Sequence, residues 1–242
     1  MSNPDIKSDL REVLDDARRF IETQQDLFGN TVLVNARNQK FEGQRAQQVS
    51  TEAWSNCATL AELNGQICNC MKCPLGETRT KFVFGVGNPR ANIMFIGEAP
   101  GADEDRQGEP FVGRAGQLLN KIIEAMGFKR DEIYICNVLK CRPPNNRDPE
   151  PTEMETCTPY LDKQIDLVKP KFIVCLGRIS AQWLLQTKDT LGSMRERVHD
   201  FKGAKLIVTY HPAALLRNEA WKRPTWEDMK KLKKMYDETV KK

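Results

Sequence analysis

Histidine and most aromatic residues are scarce in this 242-residue chain. It has two histidines, four tryptophans and four tyrosines, and aromatic residues make up only 7% of it. Any chemistry that needs an imidazole therefore has two candidates, His199 and His211. No apolar run approaches the roughly 20 residues that cross a bilayer, which argues against a spanning helix. The first residues, MSNPDIKSDLRE, lack the apolar stretch of a leader peptide, so a cytoplasmic, reducing address is expected. Strong charge bias is absent too: 37 Lys and Arg against 33 Asp and Glu leave a net charge of +4. That balance permits a nucleic-acid partner without demanding one. There is no internal repeat and no long low-complexity tract. The chain does have 40% hydrophobic residues, enough for a substantial core in one domain of ordinary size with or without a small appendage. It also has eight cysteines, which in a reducing compartment read as metal ligands or buried core residues rather than disulfides.

Residues 5–27 set Ile6, Leu10, Val13, Leu14, Ala17, Phe20 and Ile21 at helical spacing, predicting an amphipathic helix that packs on its own chain or docks a partner. Residues 29–50 are rich in Asn, Gln and Gly and read as a linker. A second short helix is expected over about 51–66, opening at Ser50 or Thr51. An N-terminal helical extension and linker (1–60) followed by an α/β domain (61–242) is the expected organisation.

From about residue 80 the pattern changes. Short apolar runs appear at KFVFG (81–85), NIMFIG (92–97), IYICNVL (133–139), KFIVCLG (171–177) and KLIVTY (205–210). They read as strands buried on both faces. Helical patterns lie between and after them, at 113–127, 151–170, 179–186 and about 225–241. This alternation predicts a three-layer α/β/α fold around a parallel sheet. Ligands of such sheets bind beyond the carboxyl ends of the strands. The segments that leave those ends are GEAPG, NVLKCRPPNNR, GRIS and HPAALLR, so Glu98, Asn137, Arg142 and His211 should meet at one site.

Cys136 and Cys175 fall in apolar strands and Cys57 on a helix, where each reads as a buried small hydrophobe. Five others remain. Cys70 and Cys73 form a Cys-x-x-Cys pair, with Cys68 as rival ligand. Cys141 and Cys157 bracket CRPPNNRDPEPTEMETC, which has no large aliphatic side chain except Met154 and cannot hold itself by apolar packing. Four thiolates on one centre would staple it. Spacing alone does not separate zinc from an iron–sulfur cluster.

Taken in order, TRTKFVFGVGNP, GEAPGADEDRQGEPFVGRAGQLL, NVLKCRPPNNR, the Cys157-Thr-Pro-Tyr segment and TYHPAALLR resemble the type-4, iron–sulfur uracil-DNA glycosylases over about residues 66–236. The resemblance implies a central four-stranded parallel sheet between helices. It also implies a four-iron, four-sulfur cluster on Cys70, Cys73, Cys141 and Cys157. Its expected activity is flipping uracil out of DNA and hydrolysing the N-glycosidic bond, which starts base excision repair of deaminated cytosine.

The resemblance also assigns roles. His211 would donate to a uracil carbonyl oxygen as negative charge develops there. Asn137 would read the polar edge of the base, and Phe111 would stack on it, with Gly97 and Ala99 lining the pocket. Glu98 would position water or shape the site. The best-known uracil glycosylases carry an aspartate one position further on, where this chain has Ala99, and Asp103 and Glu104 are alternative acids. Leu215 would wedge into the vacated base stack, while Arg142, Arg147 and Arg217 would contact phosphates. Residues 192–203 lack the inserted basic loop with which some superfamily members trap uracil, so His199 is expected to be structural or DNA-facing. Glu196 stands where relatives commonly have glycine. The expected partner is uracil-containing DNA, with the N-terminal helix a candidate dock for a repair or replication protein and the chain itself a monomer. The competing readings are a catalytically silent iron–sulfur DNA-binding protein on the same fold and, more weakly, a nucleotide-binding oxidoreductase, for which FGVGNP lacks the full dinucleotide fingerprint.

Overall fold

The structure, a computed structural model, describes residues 52–240. The chain divides into two units, Met1–Glu42 and Gly43–Lys242, and the described residues lie in the second. The helix expected over 5–27 and the linker expected over 29–50 lie outside the described residues.

Six strands form one mixed sheet: β1 (Val86–Gly87), β2 (Ile93–Gly97), β3 (Tyr134–Asn137), β4 (Phe172–Leu176), β5 (His199–Phe201) and β6 (Ala204–Thr209). Their order is β1-β3-β2-β4-β6-β5. The inner four, β3-β2-β4-β6, run parallel. Both edge strands run antiparallel to their neighbours. The expected four-stranded parallel sheet is thus the centre of a larger, mixed one.

The two departures have local causes. KFVFG is not a strand. Val83 N–H reaches Lys140 O at 2.8 Å, and regular pairing begins only at Val86 and Gly87, opposite Ile135 and Tyr134. β5 was unpredicted because His199-Asp200-Phe201 carries no apolar run. A two-residue turn makes it a strand: Lys202 and Gly203 both have positive φ (48° and 82°), the geometry of tight hairpins.

Nine α-helices are described: α1 (Leu60–Ile67), α2 (Leu75–Thr78), α3 (Ala102–Gln107), α4 (Arg114–Ala125), α5 (Pro151–Val168), α6 (Arg178–Leu185), α7 (Leu191–Arg195), α8 (Pro212–Arg217) and α9 (Lys222–Val240). The helix expected from Ser50 or Thr51 starts later. Ala53–Asn56 is a 3₁₀ turn, and α1 opens at Thr59, whose hydroxyl accepts from Glu62 N–H at 3.2 Å. The Glu62 carboxylate accepts from Ala58 N–H at 2.8 Å, just ahead of the cap.

The buried strands alternate their side chains between two cores. Ile93, Phe95, Ile135, Val174 and Ile207 pack with Leu119 and Ile123 of α4 and with Met229 and Leu232 of α9. Met94, Ile96, Ile173 and Val208 pack with residues of α1, α5, α6 and α7 on the other face. Cys57, Cys136 and Cys175 are buried in this second core, as expected. The result is three layers. Among the described residues no helix is long and apolar enough to cross a membrane.

One contact ties the helical layer to the loops at the strand ends. A Cβ added at Gly116, in the first turn of α4, would lie 1.9 Å from Phe111 O, so backbone meets backbone with no room for a methyl group. Gly116→Ala is expected to lower stability by about 1–3 kcal/mol, the usual cost of overpacking. At roughly 2–4 °C per kcal/mol for a domain of this size, this is readable as a fall in Tm.

Candidate active site

The parallel strands end at one edge of the sheet. Gly97 ends β2 and Asn137 ends β3, and the two are register partners. A Cβ at Gly97 would fall 2.3 Å from Asn137 Oδ1 and 2.6 Å from Phe111 Cζ. Asn137 and the Phe111 ring therefore close over a residue that must be glycine. Asn137 is 2% exposed, yet its side-chain oxygen has no hydrogen-bond partner. A buried acceptor left unmet costs about 1–3 kcal/mol, and here it sits beside an aromatic ring.

Phe111 has φ +55°, a region that bulky residues rarely enter. Its neighbours hold it there. The Glu104 carboxylate accepts from Val112 N–H (2.9 Å) and Gly113 N–H (3.0 Å). The Arg130 guanidinium donates to Pro110 O at 2.6 Å and to Asn120 Oδ1 at 2.8 Å. Glu104, considered above as an alternative acid, is thus engaged in shaping the Phe111 loop. Asp103 is paired with Arg106.

His211 follows β6 and caps α8. Its ring lies 5.5 Å from the Phe111 ring, tilted by 33°. Its Nδ1 accepts from Ala213 N–H at 3.2 Å, which places the neutral ring's proton on Nε2. Burial, with the nearby Arg217 charge adding to it, pushes the imidazole down to about 4. Near neutral pH, His211 is therefore an uncharged donor. Tyr210, the residue before it, stacks on Trp221 at 5.0 Å with Arg195 over its face at 4.4 Å. Arg195 in turn pairs with the buried Asp228 at 2.9 Å, so the histidine leaves a braced strand end.

Glu98, one residue past Gly97, is partly buried. Burial first, then the negative charge of Asp148, raises its carboxyl to about 7, against the opposing pull of Arg178. Ala99 is half-buried and packs on the second core.

The structure separates the candidate DNA contacts. Arg142 is half-buried, with Nε donating to Asn146 Oδ1 at 2.9 Å, and Arg217 is exposed. Arg147 is engaged elsewhere: it holds the buried Glu153 through two bonds of 2.9 and 2.6 Å, which braces the start of α5. Leu215 points inward. It is 1% exposed and lines an apolar cavity of about 180 Å³ with Leu118, Ile122 and Met229. Its neighbour Leu216 is 41% exposed. A six-residue helix shows too little periodicity to tell the two leucines apart from sequence. His199 Nε2 lies 2.9 Å from Met194 O on the sheet edge, a structural placement.

The cysteines form a second constellation. No group of three or more His, Cys, Asp or Glu among the described residues is arranged to hold a metal ion as it stands. Cys70, Cys73, Cys141 and Cys157 are nevertheless neighbours with donors aimed at their sulfurs. Tyr160 OH donates to Cys70 Sγ at 3.3 Å, Arg79 Nη1 to Cys141 Sγ at 3.4 Å and Lys140 N–H to Cys157 Sγ at 3.3 Å. Such outer donors accompany thiolate ligands. Burial, with a smaller contribution from the nearby Cys73, pushes the Cys141 thiol up to about 11 and Cys157 up to about 12. Thiols raised in this way ionise readily only beside a cation. Cys68, the rival ligand, turns instead to Gly65 O at 3.7 Å. Arg79, Tyr160 and Lys140 escaped the sequence reading because nothing in their spacing marks them.

A family model described as the Uracil DNA glycosylase superfamily matches residues 84–230. The chain is 45% identical over 182 residues to the type-4 uracil-DNA glycosylase of Archaeoglobus fulgidus, covering 72% of this chain and 92% of that one. Against the type-4 uracil-DNA glycosylase of Sulfurisphaera tokodaii it is 45% identical over 186 residues, covering 73% and 84%. Against that of Pyrobaculum aerophilum it is 44% identical over 181 residues, covering 70% and 91%. On these likenesses, the chain belongs to the uracil DNA glycosylase superfamily, among its type-4 members.

Proposed function

We propose that this protein is a uracil-DNA glycosylase that turns uracil out of DNA and hydrolyses its bond to deoxyribose, the opening step in repairing deaminated cytosine. The observation that carries the reading is the unmet Asn137 Oδ1, buried over Gly97 beside Phe111. An acceptor in that position is met by the ring N–H of uracil, while the Asn137 amide N–H donates to a uracil carbonyl. Cytosine presents a bare ring nitrogen and an amino group on the same edge, so both contacts fail. A site that leaves such a buried pair unmet can discriminate by about 10⁴.

Phe111 supplies a face for the flipped base. As the bond from C1′ to the base nitrogen breaks, its electron pair passes to uracil and spreads onto the carbonyl oxygens. The neutral His211 Nε2–H donates to one of them. Because its Nδ1 is already engaged by Ala213, the ring is oriented before the reaction begins. Water adds to C1′, and the proton it loses passes by way of solvent to the uracil anion, leaving free uracil and an abasic sugar. Glu98 is the carboxylate beside the pocket suited to hold that water. Flipping costs a few kcal/mol of stacking and pairing. Arg142 and Arg217 offer phosphate contacts that offset it, and Leu216 is the exposed leucine able to enter the gap.

Cys70, Cys73, Cys141 and Cys157 fit a four-iron, four-sulfur cluster through their shared neighbourhood and sulfur-directed donors. When bound, the cluster would supply a structural tie for the Pro-rich loop between Cys141 and Cys157. The chain's own residues would carry out the base chemistry.

Single-stranded oligonucleotides with one uracil, and matched ones with thymine or cytosine, test the activity. The wild-type protein should leave an abasic site only at uracil. His211→Ala should lower kcat on the order of 10²–10³-fold, the usual cost of losing an oriented donor to a developing anion. No abasic product from wild-type protein would sink the proposal. The pH dependence has a definite sign. If Glu98 must be ionised to hold water, kcat rises with pH through about 7 and then levels. Glu98→Gln should flatten that limb, whereas His211, at about 4, contributes nothing in the window. The purified protein should contain about four irons and four sulfides per chain. Cys73→Ser should reduce both and speed proteolysis between residues 141 and 157.

A further inference from the structure

Lys140 is 0% exposed, yet it precedes Cys141 in a polar, Pro-rich loop. Its ammonium donates to the main-chain oxygen of Asn137 at 2.6 Å and to Gln164 Oε1 at 2.6 Å. Both acceptors are neutral oxygens. Gln164 is held in turn, with its amide donating to Phe84 O at 2.9 Å and to Tyr134 OH at 3.1 Å. The main chain of Lys140 is engaged on both sides: its N–H reaches Cys157 Sγ at 3.3 Å, and its oxygen accepts from Val83 N–H at 2.8 Å. Burying a lysine on uncharged acceptors is expensive, and an apolar side chain of similar length would be a cheaper core residue. One residue thus touches a member of the cysteine set through its backbone and the base-reading asparagine through its side chain.

We infer that Lys140 is a positioning residue for uracil recognition, its side chain locking the main chain of Asn137 and its backbone N–H tying that lock to the cysteine centre. This rests on the glycosylase reading above. Asn137 ends a strand, and past that point the ladder is continued only by Val138 N–H to Gly97 O and Leu139 N–H to Glu98 O, both 3.0 Å. The Lys140 ammonium curls back over this same turn and fixes the peptide from which the Asn137 amide projects. A shift of about 1 Å at such a group can cost on the order of 10²-fold in rate.

The test uses the full chain as purified, with Lys140→Met measured beside wild type, Asn137→Ala and the double variant. Lys140→Met should lower kcat by about tenfold or more with KM little changed. It should add no further loss in the Asn137→Ala background, because both changes remove the same contact. Amide exchange at Val138 and Leu139 should quicken. Iron and sulfide should stay at the wild-type level, since the backbone donor to Cys157 remains. Wild-type kcat with unchanged exchange, losses that multiply with Asn137→Ala, or a fall in iron that accounts for the lost activity would each overturn the inference. If Lys140→Met does not fold, Lys140→Gln replaces it, and wild-type kcat in that variant overturns the inference equally. Should the wild-type protein release no uracil, the glycosylase reading falls, and the exchange rates at Val138 and Leu139 alone decide the role of Lys140.

Discussion

No side chain fits at residue 97. A Cβ there would meet Asn137 Oδ1 at 2.3 Å and the Phe111 ring at 2.6 Å, so the two side chains can approach this closely only because the strand ends on glycine. The rest of the site depends on that contact. It lets the carboxamide that ends β3 and an aromatic ring from the loop between α3 and α4 close over the same backbone position. It also leaves the amide oxygen enclosed without a partner. A buried acceptor in that state is a cost to the free protein that a ligand with one well-placed N–H removes.

Several elements are held in otherwise unfavourable states around this position, each by identifiable neighbours. Phe111 keeps a left-handed backbone because Glu104 grips the two amides after it and Arg130 the carbonyl before it. His211 stays neutral because its ring is buried near Arg217, and it keeps one tautomer because Ala213 engages Nδ1. Lys140 stays buried because Asn137 and Gln164 supply oxygens. Preorganisation of this kind suits a reaction whose charge appears only at the transition state, since the donors need no reorientation when it forms.

The Pro-rich stretch between Cys141 and Cys157 is held by polar contacts as well as by the buried Met154. Arg147 grips Glu153 across the start of α5, and Asn145 and Asn146 both take positive φ to turn the chain. The same stretch brings Asp148 close enough to raise the Glu98 carboxyl. The loop is therefore connected to the strand-end residues by two routes, through Asp148 to Glu98 and through Cys157, whose sulfur Lys140 N–H reaches.

Periodicity and composition were enough to identify the central strands, the main helices and the edge at which their loops meet, because buried parallel strands and amphipathic helices write their burial into consecutive residues. The ordered motifs named Gly97, Glu98, Phe111, Asn137, His211 and the four cysteines as candidates, and the structure groups Gly97, Phe111 and Asn137 and sets the His211 ring near Phe111. Only the tertiary structure decided which side chains are free and which are engaged. Arg147 and Arg217 look alike in sequence, yet one is locked on a buried carboxylate and the other faces solvent. Leu215 and Leu216 are adjacent, yet a single helical step of about 100° turns one into the core and the other outward. Lys140 reads as surface charge in a polar loop, and its burial follows from Gln164, which lies 24 residues further along the chain. The physical reason is common to all three: burial propensity is a property of a residue and its near neighbours, whereas a hydrogen-bond partner or a covering side chain comes from wherever the fold brings the chain back.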